Sequence, residues 1–269
     1  MAADTGYIPY CGAPPVPGGL EWNLDPWLLA VLSGILVCHR IGWLRSRRAG
    51  HPAPPAWPFV AGWAIAALAL VSPLCNLSVA LFGARVGQHI VLTLVAAPLV
   101  AAGRPGLMLI AFAPGHRSGA ARRALGSMAS VACFAALLWT WHLSGPYGAT
   151  LASDWVYWSM HLSLFAAAVW LWSGLLDPSR PHVVALGSFL TAIQMSLLGA
   201  LLTLAPKPLF EAHAATTWAW GLTPLEDQQL GGLLMWVPGG LLFVAGSLVG
   251  FALWLRAMER RTALDASQP

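Results

Sequence analysis

Formal charge is scarce in this chain: Asp, Glu, Lys and Arg together make up 9% of its 269 residues, against about 25% in a typical soluble domain. That scarcity excludes a water-soluble globule, and a hydrophobic content of 58% excludes disorder, which needs low hydrophobicity and high net charge. The four cysteines, at 11, 38, 75 and 133, form no Cys-x-x-Cys pair and no even framework, so their spacing assigns no redox compartment. A stripe of basic residues interleaved with stacking aromatics is also missing, so the net charge of +4 does not mark a nucleic-acid face. The first 25 residues hold no Lys or Arg and no apolar core. They are expected as an outer tail rather than a cleaved signal peptide, and the Pro- and Gly-rich stretch from Pro9 to Gly19 cannot extend a helix.

What is there is a series of long gaps between charges. About 20 apolar residues cross the roughly 30 Å of hydrocarbon in a bilayer, and charge-free runs cover 49–84, 86–103, 124–153, 155–176, 181–206 and 228–255. The expected fold is an all-α polytopic membrane protein, a bundle of seven transmembrane helices at 26–44, 57–78, 86–103, 124–143, 155–176, 182–205 and 229–255. The short apolar run 105–116, flanked by arginines, is expected at the interface. The domain plan is an outer tail (1–25), the bundle (26–255) and a cytoplasmic tail (256–269), with no internal repeat.

Lys and Arg favour cytoplasmic loops. Placing the amino terminus outside and the carboxyl terminus in the cytoplasm puts twelve of fourteen basic residues inside, leaving Arg85 and Lys207 out. Seven of ten acidic residues then fall outside. Trp22, Trp27, Trp139, Trp141, Trp155 and Trp158 lie near outer helix ends, as an aromatic belt requires.

Ionisable side chains inside a membrane span are costly and so point to function. Among eight histidines, His39, His51, His116 and His182 fall at the inner surface as ordinary interfacial residues, and His213 lies outside. His89, His142 and His161 lie within consecutive helices. At about 1.5 Å per residue they sit roughly 5, 3 and 9 Å below the outer edge, so neighbouring helices bring three imidazoles toward one pocket open to the outside. For each His alone, an interhelical hydrogen bond is the simpler explanation. Together, their ligand type suits Zn, Cu and Fe alike, and metal binding is expected to weaken as pH falls through about 6.5.

On the fifth helix Asp154, Tyr157 or Trp158, and His161 share a face, while Met160 points about 100° away. Asp154 is either an outer partner of an imidazole or a helix N-cap. At the entrance to the seventh helix, Thr223, Pro224 and Glu226 read as a helix start. Asp227, Gln228 and Gln229 then carry polarity inward, with Met235 two turns deeper. Pro238, Gly239 and Gly240 should kink the helix. Thioether with imidazole favours Cu(I); Met235 and Met195 qualify by depth, and Cys75 and Cys11 are further soft ligands that no spacing supports. The candidate metal ligands are therefore His89, His142, His161, Asp227 and Met235, with Gln88, Asp154, Tyr157 and Gln228 around them.

Gln88-His89 opening a helix, Gly103-Arg104-Pro105 closing it, Trp141-His142-Leu143 before Pro146-Tyr147, the His161 helix, and above all Pro224 to Gln229 followed by Met235 to Gly240 carry a likeness. Across roughly residues 22–255 the chain resembles the multi-spanning CtaG assembly factors of caa3-type cytochrome c oxidases. The resemblance implies a multi-pass protein of the bacterial inner (plasma) membrane that matures a haem-copper oxidase at a copper centre of its catalytic subunit, not an enzyme. It implies the oxidase catalytic subunit, and a periplasmic copper donor, as partners. Positions matching the family are Gln88, His89, His142, His161, Asp227 and Gln228. Where many members carry His and Met ahead of the Gln-His pair, this chain has Arg85 and Val86. Arg85 would repel a cation unless paired, with Asp154 or Asp227 as the available acids.

The expected function is transient copper binding at the outer face and delivery to the oxidase. The alternatives are a redox protein holding haem between His89 and His142 or His161, and a copper transporter. Transporters usually carry polar groups at mid-membrane, and apart from Gln194 the inner half here is nearly bare of them.

Overall fold

The computed structural model describes residues 7–51, 53–106 and 128–266. The architecture is all-helical, with 77% of residues in helix and no strand among the described residues. The helices are α1 (Pro26–Arg48), α2 (Trp57–Val71), α3 (Pro73–Ala80), α4 (Phe82–Ile90), α5 (Ala97–Ala102), α6 (Met128–Trp141), α7 (Ser144–Ala149), α8 (Asp154–Leu175), α9 (Pro181–Leu204), α10 (Pro224–Leu234) and α11 (Gly240–Ala266). π-helical turns join α4 to α5 (Val91–Ala96) and α10 to α11 (Met235–Gly239).

Among the described residues, four helical rods are long and apolar enough to cross a membrane: Pro26–Arg48, Phe82–Ala102, Pro181–Leu204 and Pro224–Ala263. Helices α2 and α3 add a fifth if the bent pair counts as one span. Their expected single helix over 57–78 is broken at Ser72, where Pro73 lacks the N–H to continue the ladder. The Ser72 hydroxyl accepts from Leu74 N at 3.4 Å, and the axis turns by 50°. Helix α8 has 22 residues, but Asp154, His161, three serines and four tryptophans leave it less apolar than the four rods. Helix α6 runs 14 residues. Apolar side chains line the outward faces, Leu241, Leu248, Val249 and Phe251 on α11 among them, as lipid contact demands.

The helix expected over 229–255 begins five residues earlier, at the turn where Thr223, Pro224 and Glu226 read as a helix start. Pro224 stands at its first position, Thr223 Oγ1 accepts from Glu226 N at 3.2 Å, and Glu226 returns to Thr223 N at 2.8 Å. It runs on to Ala266, past the expected end at 255. Most of the expected interfacial piece at 105–116 lies outside the described residues.

Small residues let the helices close. Gly199 on α9 and Gly232 on α10 meet so tightly that a Cβ on Gly232 would stand 2.4 Å from Thr203 Oγ1 and 2.8 Å from Gly199 O. Overpacking of this kind costs about 1–3 kcal/mol. Gly232→Ala is therefore expected to lower the midpoint of thermal unfolding in detergent, while Gly87→Ala, where a Cβ meets nothing within 4 Å, leaves it unchanged.

The amino-terminal tail is tied down. Asn76 Nδ2 donates to Cys11 O and Ala13 O, each at 3.0 Å, Trp220 Nε1 donates to Pro15 O at 3.1 Å, and Asn23 N to Val71 O at 2.9 Å. Cys11 and Cys75 form a disulfide across 64 positions, a pairing with no local sequence signature. Gly12 follows at φ 97°, a left-handed turn that a Cβ would strain.

Candidate functional site

Helix α4 carries Arg85, Gln88 and His89 toward α8, which carries Tyr157, Met160 and His161. The rings of His89 and His161 face each other with centroids 4.9 Å apart. Metal–imidazole nitrogen bonds are about 2.0 Å, so two rings on one ion have centroids at most about 6 Å apart, and this pair is within reach.

Each helix orients its own imidazole. His161 Nδ1 lies 3.0 Å from Tyr157 O and His142 Nδ1 lies 2.7 Å from Leu138 O, both one helical turn back. A carbonyl takes a hydrogen only from N–H, so in both residues Nδ1 is protonated and Nε2 keeps its lone pair. The Nε2 atoms of His161 and His89 are buried without a hydrogen-bond partner, an expensive arrangement for two polar atoms unless something else binds them. Tyr157 stacks on His161 with centroids 4.0 Å apart.

His142 stands across a small cavity from His89. The cavity, about 20 Å³, is lined by His89, His142, Thr93, Met195 and Met235 among apolar neighbours. A second void of about 10 Å³ brings in Arg85, Tyr147 and Met160. The two π-helical turns lie against this region, one beginning two residues after His89 and the other at Met235 itself. Such turns often mark functional sites. Among the described residues, no three side chains of His, Cys, Asp or Glu are grouped to hold a metal ion. The expected convergence of three histidines is thus a facing pair with a third imidazole and two thioethers on the cavity wall.

Other expected members serve different roles. Asp227 accepts from Phe82 N at 2.6 Å and Gly83 N at 2.9 Å, which explains why α4 begins at Phe82, four residues before the expected start. Both oxygens accept from a helix N-terminus, where an acid is favoured, so the bonds Asp227 makes are those of an anchor for α4. Gln228 bridges backbone, donating to Leu202 O at 3.0 Å and accepting from Leu209 N at 2.6 Å. Gln88 donates to Ala69 O at 2.8 Å. Asp154 neither meets an imidazole nor caps α8: Ser153 occupies the cap position, and Asp154 accepts from the Tyr7 hydroxyl at 2.5 Å. Burial and this bond push the Tyr7 phenol up to about 12.

Arg85 takes neither acid offered to it. It is 1% exposed, and among the described residues no carboxylate lies within 4.0 Å of it. Its Nη1 donates to Thr150 Oγ1 at 2.5 Å, its Cζ lies 5.4 Å from the Tyr147 ring and 6.0 Å from the Tyr157 ring, and its Nε has no partner. Aromatic faces substitute for a counter-ion. Met160, set aside on the helical wheel, lines the second void because α8 is packed against both α5 and α6 and so has more than one buried face.

In the loop before α10, His213 Nε2 shares a 2.6 Å hydrogen bond with the Tyr147 hydroxyl. Burial, then the positive charge of Arg85, lower the His213 pKa to about 3. Between that value and the ordinary 6.5, the unfolded chain binds a proton that the folded chain refuses. Stability therefore falls as pH drops through this window, by up to about 1.4 kcal/mol per pH unit. Thermal unfolding followed at pH 7.5 and pH 5 should show the loss, and His213→Gln should reduce it.

No curated protein and no solved structure matches the chain. The family model described as cytochrome c oxidase caa3 assembly factor (Caa3_CtaG) matches residues 37–257, and the chain belongs to that family.

Proposed function

We propose that this assembly factor takes up a copper ion at the outer face of its bundle, through His89 and His161, and assists its delivery to the oxidase catalytic subunit. The observation that carries the reading is the facing pair of imidazoles whose Nε2 atoms are buried and unpartnered. Copper is cargo here. A monovalent copper ion is content with two ligands, and a two-ligand site releases it to a partner that offers more. His142 and Met235 on the cavity wall are the added ligands that would tighten the site or pass the ion on; thioether with imidazole suits Cu(I). No bond-making turnover is involved.

The topology of the proposal is seven spans in a bacterial plasma membrane, amino terminus outside. It is supported by twelve of fourteen basic residues falling on one side under the positive-inside bias. The histidine pair then lies in the half of the bundle nearer the compartment from which a periplasmic donor would supply copper. A haem reading fares poorly, because a cavity of about 20 Å³ holds roughly one water-sized group and no porphyrin.

The test is made in cells from which the native gene has been removed. Wild-type chain should restore oxidase activity and the copper content of the purified oxidase. His89→Ala/His161→Ala, at equal membrane abundance, should restore neither. Full restoration by the double variant would overturn the proposal.

A further inference from the structure

The disulfide between Cys11 and Cys75 sits at one end of a column of touching side chains. Both sulfurs contact the Tyr157 hydroxyl, at 3.2 and 3.4 Å. The Tyr157 ring lies 4.0 Å from the His161 ring, which lies 4.9 Å from His89. Asn23 Nδ2 adds a contact of 3.8 Å to Cys75 Sγ. While the sulfurs are bonded to each other neither carries a hydrogen, so the phenol and the amide are the donors. A disulfide sulfur accepts weakly and gains little from them. A thiolate accepts strongly, and donors aimed at it favour the reduced, ionised pair.

From this geometry we infer that Cys11 and Cys75 form a second, redox-gated copper(I) site, in which the reduced pair holds the ion as a bis-thiolate beside Tyr157, one ring away from the histidine pair. The inference rests on the proposal that copper is the cargo. An external dithiol reduces the disulfide, the two electrons and two protons converting one protein disulfide to two thiols while the donor dithiol becomes a disulfide. Copper(I) then displaces the two thiol protons without changing oxidation state. The resulting centre carries one negative charge, and the buried guanidinium of Arg85, 6.0 Å from the Tyr157 ring, supplies positive charge nearby. The sulfurs stay neighbours after reduction because the tail has its own anchors, from Asn76 to Cys11 O and Ala13 O and from Trp220 to Pro15 O. Tyr157 separates the two sites and touches both.

The experiment uses the full chain in detergent, oxidised or freshly reduced with dithiothreitol and then desalted without oxygen. It is titrated with copper(I) against a chromophoric chelator and examined by X-ray absorption. Oxidised protein should bind one copper ion and reduced protein two, with copper–sulfur scattering from a thiolate pair in the reduced form alone. Cys11→Ser/Cys75→Ser should bind one ion in either condition. Reduced protein that binds one ion through sulfur while oxidised protein binds none would uphold the cysteine site and overturn the histidine site. Equal copper in both states with no added copper–sulfur shell would overturn the cysteine site. Should the serine variant fail to fold, the copper–sulfur shell of reduced wild type decides.

Discussion

His89→Ala/His161→Ala is expected to weaken copper(I) binding by the isolated, oxidised protein by about 100-fold or more, beyond the 10- to 100-fold that loss of an outer-shell partner costs. The size follows from the arrangement of ligands. His89 and His161 present two buried, unpartnered Nε2 atoms on rings whose centroids are 4.9 Å apart, and with both removed the cavity offers one imidazole, His142, and the thioethers of Met195 and Met235. His142→Ala alone is expected to cost much less, about 10-fold, the effect of an outer-shell partner, because it shares the void with His89 and not with His161. Each variant is a large-to-small change in a cavity wall, so folding must be checked beside binding by the unfolding midpoint without copper. A copper affinity that falls equally for His142→Ala and for the double variant would mean the ion sits elsewhere in the cavity.

Asp227→Ala is expected to destabilise the chain by about 3 kcal/mol or more, with Asp227→Asn nearly as severe. Asp227 is 1% exposed and binds two backbone N–H groups, Phe82 and Gly83, from a distant part of the sequence. Removing it strands both donors in a buried place, at about 1–3 kcal/mol for each unsatisfied group. It also removes an anion from a helix N-terminus. Asn keeps a single oxygen and sets an amide N–H against backbone donors. The damage extends to the site, because α4 carries Arg85, Gln88 and His89 on the turns that follow. The measurement is the thermal midpoint and the yield of monodisperse protein in detergent. Wild-type stability with weakened copper binding would return Asp227 to the ligand set.

Much of the helical plan is legible in the gaps between charges, since a bilayer penalises charge wherever it falls in a span. The starts of α1, α2 and α9 match because each begins at or beside a proline, the residue best suited to a first helical turn. The breaks are harder to see. Pro73 and Pro238 announce their irregularities, whereas nothing local announces the π-helical turn at Val91–Ala96. The histidine pair is legible because depth along a helix is simple arithmetic and neighbouring helices pack. Asp227, Arg85 and Cys11 are not, for a shared reason: each is explained by a partner far away in the chain, at Phe82, at Thr150 and two tyrosines, and at Cys75. A carboxylate near an imidazole-bearing span reads as a ligand until the backbone donors it serves come into view. Asp154 illustrates the same point, spent on Tyr7 in a tail whose order depends on contacts with three other segments.

The most direct measurement is the copper coordination shell. X-ray absorption of oxidised, copper(I)-loaded wild-type protein should give a first shell of nitrogen neighbours with the outer-ring scattering of two imidazoles, and His161→Ala should reduce that scattering to one imidazole or leave no bound copper. A shell without imidazole, or one unchanged in His161→Ala and in His89→Ala, would contradict the assignment of this pair.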